Sequence, residues 1–267
     1  MMPEGHTLHR HARRQRRLLA GERLAVASPQ GRFAAGAARL DGRRLLDVEA
    51  YGKHLFYRWE GDETLHVHLG LFGKFRTHRT DPPPPTDATR LSLSGPEAVV
   101  YLSGPTICEL LDPGDEERLR ARLGPDPLAN GTDPSAFVES LARRRIPIGA
   151  ALLDQKVIAG IGNVYRAELL FLTGIDPARP ANELSSEEAG SLWHLAVTEL
   201  RAGGRSGRIV TVVPDEVGAR RRSEIPRGER LYVYGRAGEP CRRCGTPIEQ
   251  RTMAARSIWS CPDCQPS

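Results

Sequence analysis

Hydrophobic positions recur at helical spacing over residues 7–20 and 134–202 and at strand spacing over 23–111. From Thr7 to Ala20, Leu8, Ala12, Gln15 and Leu19 form a narrow stripe at i, i+4, i+7 and i+11. Such a stripe predicts one helix, stopped by Gly21, with Arg10, Arg13, Arg14, Arg16 and Arg17 on its solvated side. Between Arg23 and Leu111 the period shortens. Leu45–Glu49, His54–Trp59, Thr64–Leu71, Arg90–Leu93 and Ala98–Leu102 are predicted strands, punctuated by Gly and Pro. Leu65, Val67, Leu69 and Leu71 alternate with His66, His68, Gly70 and Phe72, as in a strand with one buried face. The run Pro82–Pro85 cannot join a ladder and reads as an extended hairpin tip. Many short strands at close spacing imply a sandwich or barrel. After a Pro- and Gly-rich stretch, Leu123–Pro134, the period is helical again over Pro134–Arg144, Ile148–Asp154, Asn163–Thr173 and Ser185–Ala202. Residues 203–230 are rich in Gly and Arg and weakly periodic, which predicts a long loop.

Charge adds a second pattern. The 267 residues carry 38 basic and 33 acidic groups, net +5, and only Lys53, Lys74 and Lys156 are lysines. Residues 1–58 are net +7 and 201–267 net +6, whereas 59–200 are net −8. Basic ends around an acidic middle suit a polyanion held by both ends; solubility alone is the other reading. No window of 18 apolar residues occurs, and no apolar core precedes a cleavage site near the start. The expectation is a cytoplasmic protein with no membrane contact.

Four of the five cysteines cluster late. Cys241-x2-Cys244 and, after sixteen residues, Cys261-x2-Cys264 make two hooks able to close a tetrahedral zinc site. A redox pair or an iron–sulfur cluster is the alternative, and no partner motif favours either. With no open ligand position, the zinc would be structural. Cys108 lies in an apolar stretch and reads as a small buried hydrophobe.

Two further segments carry chemistry. In Asp154-Gln…Gly160-Ile-Gly-Asn163 the glycines permit a tight turn, and Asn163 starts a helix whose free N–H groups can hold a phosphate; a plain helix–helix turn is the other reading. At the start stand Met1-Met2-Pro3-Glu4-Gly5-His6. If translation starts at Met2 and that methionine is removed, Pro3 offers a secondary amine that can attack an aldehyde-like carbon, with Glu4 beside it to move protons. On residues alone, a simple tail is the competing reading.

Pro3-Glu4-Gly5, Tyr51-Gly-Lys-His-Leu55, Asp154-Gln…Gly160-Ile-Gly-Asn163 and the four-cysteine hairpin occur here in one order, spanning Pro3 to Gln265. This order resembles the formamidopyrimidine-DNA glycosylase/endonuclease VIII family of base-excision repair enzymes. Pro-Glu-Gly in place of Pro-Glu-Leu is closer to the endonuclease VIII branch. The resemblance implies a multidomain α+β protein: a β-sandwich with flanking helices over 2–124, a linker over 125–134, a helix–two-turns–helix domain over 135–230, and a zinc finger over 231–267. It implies damaged or abasic duplex DNA as partner, bound by a monomer in a cleft between the halves, with one structural Zn2+. It also implies roles. The Pro3 nitrogen attacks C1′, Glu4 moves protons, Lys53 contacts phosphate and assists β-elimination, and Arg256 grips phosphates and serves δ-elimination. Asn163 holds backbone phosphates. Leu71 and Phe72 stand where the family fills the gap left by the flipped base, although the strand alternation puts one of them in the core. Residues 203–230 lie where some members cover the lesion.

Some positions depart from the pattern. Family members commonly have Pro and then an acidic residue after Pro-Glu-x; here these are His6 and Thr7. The missing carboxylate keeps open a non-catalytic damage-binding protein on the same scaffold. The basic ends and the cysteines alone also fit an RNA- or ribosome-associated zinc protein. His6, His9 and His11 read as exposed or DNA-facing side chains of a basic helix, not as metal ligands. Methionine removal is efficient only before a small residue, so translation is expected to begin at Met2.

Overall fold

The structure, a computed structural model, describes residues 3–79 and 81–266. The expected start at Met2 falls outside the described residues. The chain divides into two compact units, Met1–Arg122 and Leu123–Ser267.

Unit 1 is a β-sandwich with helices. Helix α1 is Gly5–Leu19, and a second helix, α2, is Ala34–Leu40. One antiparallel sheet has the order β1-β6-β7-β5, from Ala25–Ala27, Thr89–Ser94, Val99–Ser103 and Lys74–His78. The other has the order β2-β3-β4-β8, from Leu45–Tyr51, His54–Trp59, Glu63–His68 and Ile107–Leu111. A short helix α3, Asp115–Ala121, follows. Both sheets feed one core: Val26, Leu91, Leu93, Val100 and Leu102 from the first meet Leu55, Tyr57, Trp59, Leu65 and Val67 from the second. The predicted α1 stripe is buried at all four positions, and the Tyr57 hydroxyl donates to Gln15 Oε1 at 2.7 Å, which satisfies the carbonyl of the one polar member. Cys108 is partly buried against the same core, and burial pushes its thiol up to about 12.

Two expectations for unit 1 are corrected. Strand β4 ends at His68, not Leu71, because the chain turns at Gly70 with φ +64. A Cβ there would stand 1.8 Å from Thr106 Oγ1, so only glycine fits. The alternation therefore stops, and neither Leu71 (61% exposed) nor Phe72 (83%) is core. His6, at 5% exposure, is buried inside α1 against expectation, and His11 is half-buried with its ring 5.0 Å from that of Phe75. Burial, followed by nearby arginines, pushes both imidazoles down to about 4, so they are neutral at pH 7.

In unit 2, helices α4 (Ser135–Ala142), α5 (Ile148–Ala151), α6 (Asn163–Thr173) and α7 (Ser186–Ser206) surround a core that includes Phe137, Ile148, Ile161, Leu169, Trp193 and Leu200. Ser185 and Glu188 form a reciprocal capping box at the start of α7, and Gly207 in the left-handed region ends it. The stretch around residues 124–128 packs onto the same unit. Gly124 N donates to Gln155 O at 2.8 Å, Ala159 N donates to Pro125 O at 3.0 Å, and Asp126 is buried. The expected loop over 203–230 is also corrected. Helix α7 takes its first residues, and three single turns, Pro214–Val217, Arg222–Glu224 and Arg227–Glu229, take much of the rest. Buried Val210, Val212 and Ile225, at no regular spacing, and the paired Arg222–Glu199 bonds of 2.7 and 2.9 Å anchor it. The hairpin of β9, Glu249–Met253, and β10, Arg256–Ser260, closes the fold. Among the described residues no helix is long and apolar enough to cross a membrane.

Two outcomes follow from this packing. Leu65→Ala, at a fully buried position, is expected to cost about 2–5 kcal/mol in a denaturant titration, whereas Phe72→Ala shifts stability by less than about 0.5 kcal/mol. Between about pH 6.5 and 4 the unfolded chain binds protons at His6 and His11 that the folded chain refuses. Stability is therefore fully present above that window and falls as pH drops through it. His6→Gln should remove up to about 1.4 kcal/mol per pH unit from the slope of stability against pH, and an unchanged slope would contradict the assignment.

Candidate functional site

The N-terminal candidates sit where a helix begins. Glu4 is the N-cap residue of α1, and its carbonyl accepts from Thr7 N at 2.8 Å. Its side chain is almost fully buried. A carboxylate beside the free N–H groups of a helix start is electrostatically favoured, which offsets part of the cost of burial. Pro3, directly before it, is half-buried.

Lys53 occupies a two-residue turn between β2 and β3, with Tyr51 opposite His54. Gly52 in this turn has φ +55, a conformation that suits a glycine-first hairpin turn. The half-buried Lys53 therefore stands at the tip of a regular hairpin and not on a loose loop. His54, His66 and His68 share the face of this sheet opposite the core. His54 Nδ1 lies 2.9 Å from His66 Nε2, and His66 Nδ1 lies 3.1 Å from Glu109 Oε1. Burial, with further contributions from His68, His66 and Lys53, pushes His54 down to about 3. Sequence reasoning missed this cluster; its signal was three histidines at matching parity on paired strands. Leu71 and Phe72 stand together, exposed, in the turn after β4.

In unit 2 the glycine turn is stapled by Gln155. Its Nε2 donates to Leu153 O at 3.1 Å and Ile161 O at 2.9 Å, and its Oε1 accepts from Gly160 N at 3.0 Å. Gly160, at φ +94, needs a residue without Cβ. Asn163 then opens α6. Its Nδ2 donates to Ser257 O at 3.0 Å, and its Oδ1 accepts from Arg166 Nη2 at 2.6 Å. Arg166, fully buried, also donates from Nη2 to Ser257 O at 2.7 Å. Asn163 is thus fixed to the residue next to Arg256. Arg256 is exposed at the start of β10, after a two-residue turn in which Ala254 and Ala255 both have positive φ, 51 and 56. Alanine is strained in this turn type, which favours Asn-Gly. Neither Arg166 nor Gln155 is singled out as a site residue by the sequence, because most of their partners are backbone atoms that no spacing reveals.

The cysteines converge as their spacing requires. The Sγ atoms of Cys241, Cys244, Cys261 and Cys264 all lie within 4.8 Å of one another. Cys241 and Cys264 are 3.8 Å apart, and Cys244 and Cys261 3.4 Å. Tetrahedral zinc with Zn–S bonds of about 2.3 Å separates sulfurs by about 3.8 Å, so the set fits one structural zinc ion with no open position. Gln265 ties the second hook inward: its Oε1 accepts from Cys261 N at 3.0 Å, and its Nε2 donates to Ile175 O at 2.8 Å, just past α6.

The chain matches three family models: the formamidopyrimidine-DNA glycosylase N-terminal domain over residues 2–104, the formamidopyrimidine-DNA glycosylase H2TH domain over 123–213, and the zinc finger found in FPG and IleRS over 238–266. It is 46% identical to Endonuclease 8 1 of Mycobacterium tuberculosis over 268 residues, covering 99% of this chain and 100% of the relative. It is 36% identical to the formamidopyrimidine-DNA glycosylase of Thermus thermophilus over 273 residues, covering 99% and 98%. Among solved structures, it is similar to the Thermus thermophilus Fpg protein, with a TM-score of 0.78 at 34% identity, covering 98% of each chain. It is also similar to Lactococcus lactis Fpg in complex with DNA containing an oxidized pyrimidine, with a TM-score of 0.81 at 25% identity, covering 99% and 100%. With its sandwich, helical unit and four-cysteine hairpin in this order, the chain belongs to the formamidopyrimidine-DNA glycosylase/endonuclease 8 family of DNA glycosylases.

Proposed function

We propose that this DNA glycosylase removes oxidised pyrimidines from duplex DNA and then cleaves the strand at the abasic site through a Schiff base on Pro3. The observation that carries the reading is the Pro3-Glu4 pair at the start of α1, with the Glu4 carboxyl buried at the helix N-terminus. A damaged base is flipped from the stack, since its glycosidic carbon is shielded in the duplex. The Pro3 secondary amine, exposed when translation begins at Met2 and that methionine is removed, attacks C1′ and the base departs. Glu4 gives and takes the protons this requires. The iminium then acts as an electron sink: C2′ loses a proton and the 3′ phosphate leaves. A second elimination releases the 5′ phosphate.

The other candidates take supporting parts. Lys53, a compact charge at a hairpin tip, contacts phosphate beside the reacting sugar. Arg256 offers a planar fork to a phosphate, and Asn163, held by Arg166, sits with it on the same unit. Leu71 and Phe72, exposed side by side, are suited to fill the space a flipped base leaves. Zinc holds the hairpin that carries Arg256 and enters no step. The Endonuclease 8 name of the mycobacterial relative and the oxidized-pyrimidine complex of the Lactococcus lactis protein support the substrate class. We take residues 2–124 as the catalytic part, with 135–230 and 231–267 binding DNA, in a monomer that acts on DNA in the cytoplasm.

Borohydride trapping tests this reading. Zinc-loaded protein, with its N-terminus at Pro3 verified by intact mass, should form a covalent adduct with a duplex carrying an abasic site and with one carrying thymine glycol. Protein that retains a methionine should form neither. Glu4→Gln should slow base release by about 100-fold or more. Adduct on the abasic duplex alone would remove the proposed base substrate, and no adduct on either would overturn the catalytic assignment.

A further inference from the structure

The histidine cluster beside Lys53 is built as a wire. His54 and His66 meet nearly coplanar, with planes 25° apart and centroids 5.1 Å apart, and with 2.9 Å between Nδ1 and Nε2. That is the edge-to-edge geometry of an N–H···N bond. Phe56, fully buried, lies against His66 at 5.4 Å and 16°, and the Arg120 guanidinium covers Phe56 at 4.6 Å, so the His66 ring is held from one side. The far end is different. The His66 side chain is 2% exposed, while that of Glu109, its partner at 3.1 Å, is 55% exposed. The chain therefore runs from the Lys53 hairpin, through the sheet face, to a carboxylate in water.

Chemistry sets its polarity. An ionised carboxylate only accepts, so His66 carries its proton on Nδ1 and presents a lone pair at Nε2. His54 must then donate from Nδ1, which leaves His54 Nε2 as an open acceptor. The groups facing the chain are Lys53 from the β2–β3 turn, His68 from β4 at 4.9 Å from His54, and Arg120 and Glu116 from α3. Arg120 and Glu116 form ion pairs with each other and with Glu49 and Arg58. Those two arginines and two glutamates balance one another in charge. Burial holds all three imidazoles below their ordinary range, so they pass a proton on and do not store it.

We propose that Glu109, His66 and His54 form a proton relay that carries a proton from the Lys53 end of the site to solvent during strand cleavage. The role in cleavage rests on the Schiff-base reading above. One proton reaches His54 Nε2; the Nδ1 proton of His54 moves to His66 Nε2; the Nδ1 proton of His66 moves to the Glu109 carboxylate, which releases it to water. One proton enters and one leaves, and both rings end as the opposite neutral tautomer. Returning one proton along the reversed chain restores the start. Glu109 and His66 are positioning residues acting through His54.

Two measurements on the full zinc-loaded chain test it. Nitrogen-15 NMR of labelled histidines should show Nδ1–H tautomers at both His54 and His66; Nε2–H at either would overturn the relay whatever the enzyme does. Single-turnover cleavage of an abasic duplex, followed against pH in H2O and D2O, should be about 10-fold slower in Glu109→Gln, which keeps a hydrogen-bond acceptor but cannot take the proton. His66→Phe, which keeps the ring stack, should match it. Both should show an altered pH profile and solvent isotope effect, and Glu109→Asp should recover part of the rate. Glu117→Gln, an exposed charge change on α3, is the control. Variants within twofold of wild type, with its pH profile, would overturn the relay. Failure of wild type to form a borohydride adduct would count against the Pro3 reading, and the relay then stands or falls on the NMR.

Discussion

One buried carboxylate ties helix α6 to the chain that enters the four-cysteine region. Glu168, on α6 and fully buried, accepts from Tyr232 N at 2.8 Å, Val233 N at 2.9 Å and Tyr234 N at 2.8 Å, and also from the Thr211 hydroxyl. Burial pushes its carboxyl above the usual range, and the four donors pull it back only in part. Three successive backbone N–H groups converge on one side chain, which fixes the position of the chain entering the four-cysteine region. Phe171, from the same helix, stacks on Tyr232 at 4.8 Å, and Arg243 lies over both rings. A neutral residue at 168 would leave several buried donors without acceptors, at about 1–3 kcal/mol each.

The same helix does a second job one turn earlier. Arg166 and Asn163 share Ser257 O, and Arg166 also donates to Gly149 O at 3.3 Å. Helix α6 thus carries a buried anion that anchors the approach to the hairpin and a buried cation that anchors the hairpin itself. A hairpin of two five-residue strands has few core residues of its own, of which Ile258 is the clearest. Zinc and these two side chains supply what its hydrophobic burial cannot. The consequence is functional. On the function proposed above, Asn163 and Arg256 would meet a phosphate from elements already tied together through Ser257, which lowers the cost of ordering them at the moment of binding.

How far this was legible in the chain differs by element. Helix α6 was read residue for residue, because Gly162 and Gly174 bracket an apolar run. The α1 stripe and the cysteine spacing were equally plain, each depending only on local period. Strands Ala25–Ala27 and Lys74–His78 were not read: one is three residues long, and the other is a mostly polar edge strand. Helix α3 buries no residue and so shows no stripe. The burial of His6 was invisible because only the packing around α1 sets it. The candidate residues Pro3, Glu4, Lys53, Asn163 and Arg256 came from the order of motifs, since each motif alone is common. Arg166 and Glu168 lie just past the motif that ends at Asn163, yet most of their partners stand about 60 to 90 residues away, and most are backbone atoms.

Buried polar groups of α6 hold the four-cysteine hairpin and its approach. Hydrogen exchange of the backbone amides of Tyr232, Val233 and Tyr234, measured in the zinc-loaded protein, tests it most directly. These amides should exchange as slowly as those of the α6 core. In Glu168→Gln they should exchange at least about 10-fold faster, as expected when about 1.4 kcal/mol of local stability is lost, while the β-sandwich amides stay unchanged. Equal exchange in both proteins would contradict the account and would leave zinc alone as what orders this end of the chain.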